Sequence, residues 1–388
     1  MHPFEGLAEA LAEREAAGLY RRRRVIEGAQ GPRLHVHGRE LLAFCSNDYL
    51  GLAGDPRLAE ALARGAREMG TGSGAAHLVS GHHRAHHALE EELAAFVGAE
   101  RALLFSTGYM ANLGVIPALL GRGDTVIEDR LNHASLIDGA RLSGARLRRW
   151  PHGDLAGLQR QLGHASGRVL VAVDAVFSMD GDRAPLGELA RLVAQHEAAL
   201  MIDDAHGFGV LGPLGRGSLA AAGLGFDAVP LYMATLGKAL GVAGAFVAGS
   251  ELLVETLIQR ARPYVYTTAM PPALAEATRA ALRIAAEEDW RRERLRALTE
   301  RFRREAAGLG LCLADSDTPI QPLLLGDAAT ALRWSEALAM RGILVPAIRP
   351  PTVPEGSARL RITFSAAHEE ADLDHLLEAL DSVRREAA

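Results

Sequence analysis

Lys238 is the only lysine among the 388 residues, against 41 arginines (42 Lys+Arg less one). Arginine fills the generic need for positive charge, but its guanidinium stays protonated and cannot act as an amine nucleophile. A lysine whose pKa falls from ~10.4 towards neutrality can condense with an aldehyde as a Schiff base. Taken alone, a solitary lysine can also be the residue of an arginine-rich composition. Its surroundings decide between the two readings.

Short apolar runs deliver polar residues at regular places along the chain. Residues 199–202 lead into Asp203, Asp204 and His206, and residues 169–173 into Asp174 and then Ser178. Residues 231–233 lead to Thr235 and Lys238, and Phe105 opens onto Ser106-Thr107-Gly108-Tyr109 at the start of a helical stretch. In an open parallel sheet, ligands bind beyond the carboxyl ends of the strands, and free N–H groups at a helix start favour phosphate. One cofactor uses all of these parts. In pyridoxal phosphate (PLP), the aldehyde would bond to Lys238 and the pyridine nitrogen would face Asp203. The phosphate would rest on the Gly108 and Tyr109 N–H groups and the Thr235 hydroxyl. Each residue singly has a plainer reading: Asp203 as a turn aspartate, His206 as a core histidine, Gly70, Gly72 and Gly74 as turn glycines. The combination around the sole lysine argues against them.

Two other patterns compete. Gly207-Phe-Gly-Val-Leu-Gly212 has the GxGxxG form of a dinucleotide loop and would imply an NAD-dependent oxidoreductase. That pattern must open a helix, and Pro213, Gly215 and Gly217 instead read as loop. The pairs His82/His86 and His83/His87 have helical metal-ligand spacing. With no third ligand identifiable, they read as solvated helix histidines, and no metal is expected.

The elements that must hold these residues follow from periodicity. Strand-like runs at 102–105, 125–127, 169–173, 200–202, 231–233 and 245–248 alternate with helix-like stretches at 84–97, 108–120, 133–142 and 186–197. The alternation predicts an α/β fold with a mostly parallel sheet covered by helices. Residues 4–24 read as an amphipathic helix, and 34–44 as a hairpin. Residues 272–307 read as one long helix, followed by strands at 321–325 and 358–364 and helices at 328–341 and from 369. The chain thus divides into an N-terminal arm and hairpin (1–45), a large domain (46–270) and a smaller α/β domain (271–388).

Composition bounds the rest. Hydrophobic residues at 48%, charged residues at 23% and a net charge of −6 describe a globular protein with no basic field for nucleic acid. Cys45 and Cys312 cannot build a disulfide framework and suit a reducing cytosol. Glu5, Glu9, Glu13 and Glu15 argue against a signal peptide. The uncharged stretch 103–121 suits a buried strand and helix better than a membrane span. A cytoplasmic location is expected.

At this point the chain resembles the α-oxoamine synthases, a branch of the fold-type-I PLP enzymes. The motifs are SNDYLGL (46–52), GTGSG (70–74), SG (80–81), LNHASL (131–136), VFSMDGD (176–182), DDAHGFGVLG (203–212), ATLGKALG (234–241) and YTTAMPP (266–272). They span nearly the whole chain in family order. The resemblance implies fold type I, with a large PLP domain and a smaller C-terminal one. It implies Lys238 as the Schiff-base lysine, Asp203 on the pyridine nitrogen, His206 on the phenolic oxygen with Ser178 nearby, and His133 stacked on the ring. Gly108, Tyr109 and Thr235 would hold the phosphate. Thr267 would reach the phosphate of a neighbouring subunit, which makes the enzyme a homodimer. Arg349 would bind an amino-acid carboxylate, Asn47 and Thr352 would line the substrate site, and Arg21 would contact the acyl substrate. The run IRPPTVP at 348–354 favours the member of the family that condenses L-alanine with a pimeloyl thioester, on coenzyme A (pimeloyl-CoA) or an acyl carrier protein, in biotin synthesis. A sister using glycine and acetyl-CoA is the nearest rival. The chain departs from the pattern at Asp174, where glutamate is usual, and at Ala75 and Ala76.

Overall fold

The computed structural model describes residues 4–387 and builds three sheets. The largest has seven strands, in the spatial order Arg101–Phe105, Ala245–Gly249, Leu231–Thr235, Ala199–Asp203, Val169–Asp174, Thr125–Asp129 and Arg146–Trp150. All neighbours pair in parallel except Ala245–Gly249, which is antiparallel to both of its partners.

Helices cover both faces, so these strands carry apolar side chains on both sides rather than alternating with polar ones. Val171, Ile202 and Phe246 enter one core cluster, and their neighbours Leu170, Met201 and Val247 enter the other. The period of two is therefore present but invisible as a polarity pattern. Phe246 is wholly buried, and its truncation to alanine would cost about 3–5 kcal/mol.

Register puts the chemistry at one edge. Asp174 lies opposite Asp203, and Asp203 opposite Met233. Three parallel strands thus end together, at Asp174, Asp203 and Thr235. Beyond Phe105, the Thr107 hydroxyl caps the helix Gly108–Leu119 by accepting from the Met110 N–H at 3.1 Å. The Lys238 loop packs against SNDYLGL through Gly241 (φ 67°). A Cβ there would come within 2.4 Å of the Ala53 nitrogen, so only glycine fits.

The N-terminal hairpin Arg33–Val36/Arg39–Ala43 forms as expected, and a strand from far downstream, Ile343–Leu344, pairs in parallel with it. The downstream segment has its own three-stranded antiparallel sheet, Ile320–Gly326, Ala358–Thr363 and Ala347–Ile348.

Several expectations need correction. The first helix covers only Leu7–Ala16 and buries none of its residues, so its apolar spacing has no core to face. Residues 272–307 form two helices, Pro272–Glu287 and Trp290–Gly308. The strand Arg146–Trp150 escaped notice because arginines fill three of its five places; it is an edge strand, and all of its side chains except that of Trp150 are at least partly exposed. The histidine stretch is not simply solvated, since His86 is wholly buried. As expected, Gly207–Gly212 leads into a short 3-10 turn, Pro213–Gly215, and not into a long helix. No described helix is long and apolar enough to cross a membrane.

Candidate active site

A cavity of about 200 Å³ lies at the carboxyl edge of the large sheet. Gly108, Tyr109, His133, Ser178, Asp203, His206, Thr235 and Lys238 line it, together with Asp174 and Ser135. Eight residues singled out from sequence, scattered over 131 positions from 108 to 238, therefore meet in one place.

The Lys238 ammonium group is 2.9 Å from His206 Nε2, and the other His206 nitrogen, Nδ1, is 2.6 Å from the Tyr49 hydroxyl. Burial pulls the Lys238 pKa down to about 8, with Arg361 acting in the same direction and Asp203 and Asp174 opposing. The same burial, with Lys238 and Arg361 close by, drives His206 well below the usual imidazole range. His206 is therefore neutral and can accept a proton from one neighbour while donating to the other.

Asp203 is fixed from two sides. Its Oδ2 accepts from Asn112 Nδ2 at 2.8 Å and its Oδ1 from the Ala205 N–H at 3.0 Å. Asn112 also donates to Ser135 Oγ, which lies 2.8 Å from His133 Nδ1. The His133 N–H donates to Asp174 Oδ2 at 2.8 Å. Burial first, and then the Asp203 charge, raise Asp174 well above the carboxylate range.

These features suit PLP. The buried carboxylate of Asp203 faces a cavity able to receive a protonated ring nitrogen. Among the described residues, the Gly108 and Tyr109 N–H groups have no acceptor, as the first donors of a helix require. The Thr235 hydroxyl is beside them, donating to the Gly244 carbonyl at 3.0 Å and accepting from the Gly237 N–H at 3.3 Å. A phosphate would find donors there, opposite an amine that can be neutral near physiological pH.

Five sequence candidates do not line this cavity. Asn47 reaches it indirectly: the Tyr49 hydroxyl is 3.3 Å from Asn47 Oδ1, which also accepts from both terminal nitrogens of Arg361 at 3.2 Å. Arg21 and Arg349 line a separate, open cavity of about 1240 Å³ together with Tyr20, Arg22, Arg23 and Arg24. Arg349 Nε donates to the Gly18 carbonyl at 2.8 Å. Thr352 is exposed in the following turn, and Thr267 is partly exposed after the short helix Arg262–Val265.

Sequence reasoning gave no role to Tyr49, Asn112 or Arg361. Asn112 had a legible signal, as a polar residue in the apolar stretch 103–121. Tyr49 lies inside SNDYLGL, but nothing in one dimension connects it to His206, 157 residues away. Arg361 lies on an interior strand of the downstream sheet and is almost wholly buried. Its Nε donates to the Ser178 carbonyl.

A sheet of this order with an amine, a carboxylate and a helix start at its carboxyl edge defines a fold-type-I PLP enzyme. The chain belongs to the aminotransferase class I and II family, whose model matches residues 39–380. It is 64% identical over 381 residues to 8-amino-7-oxononanoate synthase of Thioalkalivibrio sulfidiphilus, covering 98% of this chain and 97% of that one. Among solved structures, a serine palmitoyltransferase from S. paucimobilis with a bound PLP–myriocin aldimine superposes with a TM-score of 0.93 at 29% identity, covering 99% and 98% of the two chains. An 8-amino-7-oxononanoate synthase from Francisella tularensis gives 0.79 at 32% identity, covering 90% and 99%.

Proposed function

We propose that this chain is an 8-amino-7-oxononanoate synthase: with PLP it condenses L-alanine with a pimeloyl thioester and releases carbon dioxide and the thiol carrier. The observation that carries the reading is the Lys238 amine, 2.9 Å from His206 Nε2 and in one cavity with Asp203 and a free helix start. The relatives' names support the substrate pair. The GxGxxG reading loses its support because no long helix follows it.

PLP bound there supplies an electron sink for the electron pair left when a bond to the substrate Cα breaks. Lys238 is the general base that removes the Cα proton and later returns one to the product carbon, a task suited to an amine with pKa about 8. Asp203 would keep a proton on the pyridine nitrogen, and Asn112 and the Ala205 N–H keep Asp203 in place. His206, oriented by Tyr49, would hold the phenolic oxygen. His133, anchored through Ser135 and Asp174, would face the ring, with Ser178 near it. Gly108, Tyr109 and Thr235 would hold the phosphate.

Arg361 donates to the carbonyl of Ser178, which lines the cavity, and to Asn47 Oδ1, so we assign it the alanine carboxylate, with Asn47 beside it. Arg349, with Arg21 and Thr352, belongs to the acyl thioester side. A planar guanidinium can grip a carboxylate with two parallel bonds and so fix which Cα bond stands across the ring.

The homodimer belongs to the same proposal. Ala76 bridges Thr268, and this joint carries Leu78, Val79 and Tyr266, which are 50%, 79% and 73% exposed. Such apolar exposure next to Thr267 fits a surface covered by a second copy. A cytoplasmic location accords with the free cysteines. The test is direct. The purified holoenzyme is given L-alanine and pimeloyl-CoA, and carbon dioxide and free thiol are measured. Equimolar product is expected, with glycine and acetyl-CoA turned over far more slowly; preference for the glycine pair would overturn the assignment.

A further inference from the structure

The fold supplies the histidine stretch with the partner that its spacing lacks. The turn His77–Gly81 brings His77 back against the start of the helix Arg84–Val97. His77 Nδ1 and His82 Nδ1 lie 2.9 Å apart, and His82 Nε2 is 3.9 Å from Glu90 Oε2. His87, three positions before Glu90 and on the same helix face, stands edge-on to His82 with ring centroids 5.9 Å apart. One ligand atom from each of His82, His87 and Glu90 lies within 4.8 Å of the others.

His77, His82 and His86 form a second such trio, but His86 is already committed. Its Nδ1 accepts from the His83 N–H at 3.0 Å, and its Nε2 is 2.8 Å from the Met270 carbonyl. Using it as a ligand would sacrifice a buried hydrogen bond. Glu90 is placed differently. Its Oε1 accepts from the Leu104 N–H, its Oε2 faces His82, and its side chain is only 12% exposed. A carboxylate this buried either takes up a proton or is met by a cation: burial pushes its pKa up to about 7 against the Leu104 N–H and Arg101, and among the described residues its one ion-pair partner is His82.

We propose that His82 Nε2, His87 and Glu90 Oε2 form a binding site for a transition-metal ion of the zinc class. Two imidazoles and a carboxylate are a usual zinc set, at about 2.0–2.2 Å from the ion, with water in the fourth place. Exposed His87 gives that water access. With Nε2 of His82 on the ion, its Nδ1–H donates to His77 Nδ1, which fixes the tautomer as outer hydrogen bonds do in metal sites. His77 is braced in turn by stacking on Tyr264, with centroids 4.8 Å apart. The ion would pin this turn to the helix, close to the Met270 carbonyl that receives both the Ser73 hydroxyl and His86.

The untagged holoenzyme, stripped with chelator, is titrated with Zn²⁺ against a chromophoric competitor. We expect one ion per chain with a micromolar Kd and a raised Tm. His87→Ala, at an exposed position, and His82→Gln should each weaken binding at least about tenfold, while His83→Gln leaves it unchanged. An unaltered visible spectrum shows that the variants are folded. No retention of zinc at micromolar concentration, or wild-type affinity in both His87→Ala and His82→Gln, would overturn the site. Neither result bears on the reaction at Lys238.

Discussion

The two cavities handle charge in opposite ways. Around Lys238, a few ionisable groups are withdrawn from water, and each is answered by a specific neighbour. Around Arg21, Arg22, Arg23, Arg24 and Arg349, many cations line an open space, and the first four are exposed to solvent. Desolvation moves pKa values and makes one amine reactive. Hydrated guanidinium groups keep their charge and attract anions over distances limited by salt. The first arrangement suits chemistry, and the second suits capture of an anionic acyl carrier.

The largest effect should come from Lys238→Arg. It keeps the charge and the approximate size but removes the amine, and turnover should fall by more than about 10⁴-fold. Because no other lysine exists, the yellow absorbance of the holoenzyme should vanish as well. A variant that kept both would end the distinction between a reactive amine and a mere cation. Asp203→Asn should follow, with a loss of about 10²-fold or more in kcat and some PLP retained, read from deuterium exchange at the alanine Cα.

The amine can also be titrated directly. In the PLP-free chain, reductive methylation of Lys238, mapped by mass spectrometry to separate it from the α-amine, should reach half its maximal rate near pH 8. An unperturbed lysine with pKa ~10.4 would be only about one part in 250 deprotonated at that pH. The folded-state pKa lies below the unfolded value, so between about 8 and 10.5 the unfolded chain binds more protons. This group's contribution to stability therefore grows as pH rises through that window and is absent below it. A half-rise above pH 10 would show that the cavity is wet.

How much of this was legible follows from the same contrast. Lys238, Asp203 and His206 stand at the ends of apolar runs, and the register of a parallel sheet brings such ends together. Their meeting was readable from order along the chain. Tyr49 and Arg361 were not, because each acts across a long sequence separation on a residue already chosen, and Asn112, though visible as a polar residue in an apolar stretch, carried no sign that it would reach Asp203, 91 positions away. Tyr49 touches His206, and Arg361 reaches Asn47 across 314 positions. Arg349 was legible as a motif, but its cavity was not: it lines the open space with Arg21 rather than the pocket of Lys238. Nothing in IRPPTVP says that the guanidinium turns towards Gly18 rather than towards Lys238. The arm at 7–16 and the arginine-filled edge strand at 146–150 misled for one physical reason: polarity patterns report a buried face, and these elements have little of one.

A substitution pair sharpens the comparison. Arg361→Lys removes the planar fork that holds Asn47 and the Ser178 carbonyl and should raise the KM for alanine by about 10- to 100-fold, a loss of about 1.4–2.7 kcal/mol. Arg349→Lys should instead raise the KM for the pimeloyl thioester and leave that for alanine within about threefold. The opposite pattern would return the carboxylate to Arg349 and show that the open cavity closes over the amino acid.

The smallest effect expected belongs to the hydrated arginines. Arg22 and Arg23 line the open cavity beside Arg21, and charges in such a place act through solvent. Arg22→Gln with Arg23→Gln should lower kcat/KM for pimeloyl-CoA by a few-fold at low ionic strength, with kcat unchanged. Because the Debye length falls from about 10 Å at 0.1 M salt to about 3 Å at 1 M, the wild-type enzyme should lose the same advantage on adding salt, and the two curves should converge. The alanine KM should not move with salt, since Arg361, assigned to its carboxylate, is buried away from solvent. If the alanine KM instead rose in step with that of the thioester, the two cavities would share one electrostatic environment, and the separation drawn between them would fail.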